Sequence, residues 1–137
     1  MKTLFLKSVM LLFAALTVAA VAIAKDDAKK VLDASAVKAL ISNHMLESKQ
    51  VTGGSGYNYW AWKSDGSVCI RIAGKTGKCD DKGRWKLDGN RLCWELEWFG
   101  NDLKLKSACV DVADQGKGRY LATDKSGTVL LDFTVLK

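Results

Sequence analysis

The stretch that most constrains this 137-residue chain runs from Gly83 to Asp111, where turn residues and two cysteines fix one another's position. Gly83-Arg84-Trp85-Lys86-Leu87-Asp88 precedes Gly89-Asn90, Arg91 to Trp98 follows, and on both sides apolar and polar residues alternate with period two. Such alternation places the apolar side chains on one face of a strand, and a two-residue glycine-containing loop joins two such strands into a hairpin. With Gly89-Asn90 as a primed turn, Asp88 faces Arg91, Leu87 faces Leu92, Trp85 faces Trp94 and Arg84 faces Glu95. The same midpoint rule applied to Cys93 and Cys109 lands on Asn101, inside Gly100-Asn101-Asp102, a second run of turn-forming residues. Turn chemistry and cysteine spacing thus point separately to a third strand beside the second.

The compartment follows from the first residues and the cysteines. Lys2 and Lys7 start a basic, then uncharged, segment ending in the small-x-small site Ala22-Ile23-Ala24, which reads as a secretory signal over residues 1–24. An uncleaved anchor is the alternative, although Ser8 to Ala24 spans 17 residues and a membrane helix needs about 20. No cysteine at the cleavage point offers a site for a lipid anchor. Cleavage leaves 113 residues, a single domain by length, and lowers the formal charge from +6 to +4. Four cysteines in so short an exported chain point to two disulfides, and a periplasmic or secreted location follows. Of the three connectivities four cysteines allow, only Cys69 with Cys79 and Cys93 with Cys109 joins neighbours across one turn in both cases. No Cys-x-x-Cys pair is present and His44 is the single histidine, so neither a metal site nor a cofactor is expected.

Residues 25–34 read as a flexible lead, and a single helix-plus-sheet domain is expected over residues 35–137. Ser35 serves as helix N-cap, and Val37, Leu40, Ile41, His44 and Met45 recur at helical spacing. His44 on that stripe is a general-base candidate, but no Ser, Cys or carboxylate pair is placed beside it, and a partly buried structural histidine is the better reading. Gly53-Gly54-Ser55-Gly56 lacks the Lys-Ser/Thr of a phosphate loop and is read as a connector, after a short strand around residues 50–52. Tyr57 to Lys63 pairs with Ser67 to Ala73, setting Trp62 against Val68, Trp60 against Ile70 and Asn58 against Ile72, with the apolar members on one face. A strand from Leu103 to Ala113 follows the central hairpin, with a bulge near residues 105–107 or an open rim where Lys104 lies over Trp98. Arg119 to Thr123 then pairs with Thr128 to Leu136. Seven or eight strands joined by short turns, with no proline, imply a mainly β fold: an antiparallel up-and-down meander closed into a small barrel behind one N-terminal amphipathic helix. A two-sheet sandwich is the alternative, because periodicity does not report closure.

Ser35-Ala36-Val37-Lys38-Ala39-Leu40, Val51-Thr52-Gly53, Asp65-Gly66-Ser67-Val68, the segment Gly83 to Trp94 and Cys109 together resemble the bacterial exported proteins of domain-of-unknown-function family 995. The resemblance spans about residues 35 to 136 and is most specific in Gly-x-Trp followed by Arg-Leu-Cys. It implies a small periplasmic β-barrel and carries no catalytic residues to transfer. Cys69 and Cys79 lie outside the shared cysteine pair.

Trp60, Trp62, Trp85, Trp94 and Trp98 all fall on the apolar face, where they form either a tryptophan-rich core or the lining of a ligand cavity. Arg71, Lys75, Lys78, Lys82, Arg84, Lys86 and Arg91 make a basic run, but Arg84 faces Glu95 and Lys82 faces Glu97, the pattern of an ordinary solvated face. Glu95 and Glu97, read as a catalytic carboxylate pair, project onto the outer face, where nothing excludes water. With no nucleophile, base and orienting group to assemble, a non-catalytic binding module, protein-binding or inhibitor-like, is the expected function. The alternative is a carrier of a small apolar or aromatic ligand inside the barrel; nucleic acid is an unfavoured partner, and no membrane span is expected after signal cleavage.

Overall fold

The computed structural model describes residues 29–49, 56–72, 74–98 and 103–137. The expected signal segment, residues 53–55, the expected strand at 50–52 and the expected turn at 100–102 lie outside them.

The chain enters the fold as β1 (Lys30–Val31) and passes into α1 (Ala34–Ile41), so part of the expected flexible lead is ordered. Asp33, not Ser35, is the N-cap: its carboxylate accepts the Ala36 N–H at 2.8 Å, satisfying a donor the first turn leaves free. Val37 and Ile41, four residues apart on one face, are fully buried. The helix stops before His44 because Asn43 takes a left-handed φ of 61° and donates its N–H to the Trp62 carbonyl oxygen at 2.7 Å. His44 and Met45 therefore open β2 (His44–Lys49), whose inward residues Leu46 and Ser48 follow period two. An apolar run this short fits either period, and only the partner strand decides.

The remaining strands are β3 (Tyr57–Trp62), β4 (Ser67–Arg71), β5 (Asp81–Asp88), β6 (Arg91–Leu96), β7 (Ser107–Asp114), β8 (Arg119–Thr123) and β9 (Val129–Leu136). Consecutive strands from β2 to β9 pair antiparallel, and β2 pairs with β9, closing an eight-stranded up-and-down barrel. Closure leaves none of these eight as a free edge. Where β6 stops pairing β7 after Val110, β1 takes over that edge at Ala113 and Asp114.

The central hairpin holds the expected register, Asp88 to Arg91 through Arg84 to Glu95, and so does Trp62 to Val68 and Trp60 to Ile70. Gly89 has φ 58° while Asn90 does not, which suits the primed turn with glycine at its first central position. Two expectations differ. Ile72 is 41% exposed, since β4 ends at Arg71 and the Asp80 carboxylate draws the Ile72 N–H out of the ladder at 2.7 Å. Residues 103–106 form a helical turn, α2 (Leu103–Lys106), so β7 begins at Ser107 rather than Leu103. The expected lie of Lys104 over Trp98 falls outside the described side chains.

Disulfides join Cys69 to Cys79 and Cys93 to Cys109. The second crosses directly opposed residues of β6 and β7, and the first ties the 72–80 loop back to β4. One barrel end is covered by α1, which is anchored where Asn90 Oδ1 accepts the Ala34 N–H at 3.0 Å. At the other end, the far mouth, lie the start of β3 and the ends of β4 and β6.

Candidate functional site

Four of the five tryptophans meet inside the barrel. Trp60 and Trp62 stack with centroids 5.6 Å apart and planes 12° from parallel, and Trp94 meets them edge-on at 5.6 and 5.9 Å. Half-buried Trp85 closes on Trp62 at 6.0 Å. Edge-to-face contacts of this kind add to the area each ring removes from water. Trp94 Nε1 donates to the Leu105 carbonyl oxygen at 2.7 Å and Trp85 Nε1 to that of Lys63 at 2.8 Å. The rings spend their faces on one another, as a packed core does.

Trp98 is not among them. It is 56% exposed at the far mouth, although alternation placed it on the inner face. The cause is Asp81, 5% exposed, whose carboxylate oxygens accept the Trp98 N–H at 3.0 and 3.2 Å and the Lys82 N–H at 2.7 Å. That capture ends β6 at Leu96 and turns the indole outward. Tyr57 and Ile72, 44% and 41% exposed, stand on the same mouth at the start of β3 and the end of β4. His44 is also exposed: it sits opposite Trp62 at the helix end, on the rim rather than on a buried helical stripe.

The basic run divides. Arg71 donates through Nε to the Gly77 carbonyl oxygen at 2.9 Å, and Lys75 pairs with Glu47 at 3.7 Å while lying 5.8 Å from the Tyr59 ring, so these cations pin the disulfide loop onto the outer wall. Desolvation raises the Tyr59 phenol above its ordinary pKa, and the Glu47 carboxylate adds to the shift. Arg91 turns to Asp111 and donates to the Cys109 carbonyl oxygen.

Lys82, Arg84 and Lys86, alternating on the outer face of β5, stay exposed. Lys82 meets Glu97 at 3.9 Å as expected, but Arg84 turns from Glu95 and donates through Nη2 to the Asp65 carbonyl oxygen at 3.2 Å. The β3–β4 turn is clamped there by Trp85, whose N–H reaches the Gly66 carbonyl oxygen at 2.8 Å. Within that turn the Ser67 hydroxyl and N–H hold the Asp65 carboxyl below its usual range. The result is a furrow of about 620 Å³ over β4, β5 and β6, in which Lys63 and Lys106 join Lys82 and Arg84. Lys63 and Lys106 were missed in the sequence because one lies on a turn and the other on α2; the only signal was the outward register of Lys82 and Arg84.

Among the described residues no three His, Cys, Asp or Glu side chains gather as metal ligands, and no helix is long and apolar enough to cross a membrane. No family model, curated protein or solved structure matches this chain.

Proposed function

We propose that this chain is an exported, non-catalytic binding module that grips a protein partner with the far mouth of its barrel. The observation that carries the reading is Trp98: a large aromatic side chain held out to solvent by a buried carboxylate that accepts its backbone N–H. Solvent-facing apolar groups clustered on one end mark an interaction surface, and tryptophan and tyrosine dominate binding hot spots. Tyr57 and Ile72 are exposed at the same end of the barrel, at the start of β3 and the end of β4, whereas Val31 is exposed at the end that α1 covers. The two disulfides support a location outside the cytoplasm, and the likeness to exported family 995 proteins fits the same reading. The packed tryptophans favour binding from outside over carriage within.

The test is affinity capture from an extracytoplasmic extract with the wild-type chain and Trp98→Ala, beside a fluorescence screen of small aromatic and lipid compounds. A protein retained by the wild type and lost with Trp98→Ala supports the reading. Quenching of the buried tryptophans by a small compound, with no protein retained, would replace it with the carrier. Turnover of any compound that disappears on changing His44 or Glu95 would make the chain an enzyme.

A further inference from the structure

We infer that the furrow centred on Arg84, on the outer wall beside the far mouth, is a second binding site, and that its ligand is an acidic polysaccharide. Arg84 lines this furrow and two adjoining hollows of about 540 and 370 Å³, the last of which also takes Lys38 from α1 and Lys86. Cations from β5, the β3–β4 turn, α1 and α2 thus border one track along the outer wall. The track is built in advance: the turn is clamped to Trp85 and the guanidinium to the Asp65 carbonyl oxygen, so little ordering remains to be done on binding.

Two features select the ligand. Lys82, Arg84 and Lys86 alternate along one strand, which spaces their Cα atoms roughly 6.6 Å apart and suits a polyanion lying extended along β5. Glu95 and Glu97 also stand in the furrow, Glu97 paired with Lys82 and Glu95 without an ion-pair partner among the described residues. Interleaved carboxylates repel a densely charged polymer. They suit a chain whose carboxylates are separated by hydroxyl groups, because Glu95 accepts hydrogen bonds from hydroxyls while the cations take the carboxylates. Trp85 and Trp94 border the track, but Trp94 is buried and Trp85 half-buried, and both pack against the Trp62 ring, so neither stands out as a platform for stacking bases.

Binding of alginate, a polymer of uronic acids, is measured by calorimetry on the full chain at low and high salt, beside a single-stranded oligonucleotide of equal charge. The double variant Lys82→Gln/Arg84→Gln is expected to weaken alginate binding about tenfold or more. Lys117→Gln/Lys125→Gln, which removes the same charge from two loops outside the furrow, should change it less than about twofold. Should the furrow variant fail to fold, Lys106→Gln on α2 makes the same comparison. Absence of alginate binding at low salt, equal loss in the control, or tighter binding of the oligonucleotide would each overturn the proposal.

Discussion

At the scale of single residues, three positions outside the cysteines set the behaviour of the fold. Asp81 satisfies the N–H groups of Lys82 and Trp98, so Asp81→Ala leaves buried donors unpaired; a loss of about 1–3 kcal/mol is expected in urea unfolding. Gly83 sits where β5 crosses β6 so closely that a Cβ would collide with the Glu95 carbonyl oxygen and lie 2.8 Å from Leu96 Cα. Gly83→Ala is expected to destabilise by about 1–3 kcal/mol or more, although it adds a single methyl group. Asp132 receives two 2.8 Å hydrogen bonds from Arg119, which hold its carboxyl below the usual carboxylate range. Because the folded pKa is depressed, this pair stabilises fully above the ordinary value of 3.8 and its contribution disappears as pH falls through the lower, folded value. Asp132→Asn should therefore lower the Tm at neutral pH and flatten the acid limb of a Tm-against-pH curve.

At the scale of elements, the disulfide between β6 and β7 joins the two strands whose connection passes through α2. Closing a loop of this size stabilises by about 3 kcal/mol on the chain-entropy estimate, so Cys93→Ala/Cys109→Ala should lose that much in chemical denaturation. The hairpin Arg84–Glu95 was legible residue by residue, since a turn with a known loop length sets its own register. The end of α1 was not legible. Val37 and Ile41 fit a helix, Leu46 and Ser48 fit a strand, and the switch rests on Asn43 bonding Trp62 from another strand. Trp98 escaped for a related reason: alternation holds only while the ladder continues, and Asp81 ends it.

At the scale of the whole molecule, closure through β2 and β9 makes every barrel strand depend on both neighbours. The tryptophan cluster draws on β3, β5 and β6, so its fluorescence reports the barrel as a unit. Thermal unfolding followed by fluorescence and by far-ultraviolet circular dichroism should give coincident single transitions; separated midpoints would show parts melting independently.

By itself the sequence determined the mainly β meander, the hairpin registers, both cysteine pairings and the inward set of Trp60, Trp62, Trp85 and Trp94. These follow from period-two alternation and turn chemistry, which act between neighbours along the chain or across one turn. Only the tertiary structure decided that the meander closes, that α1 covers one end, that His44 and Trp98 face solvent, and that Lys63 and Lys106 come to stand beside Arg84. Each of those depends on backbone groups and side chains distant in sequence competing for the same hydrogen bonds and the same space, and no local pattern records which competitor wins.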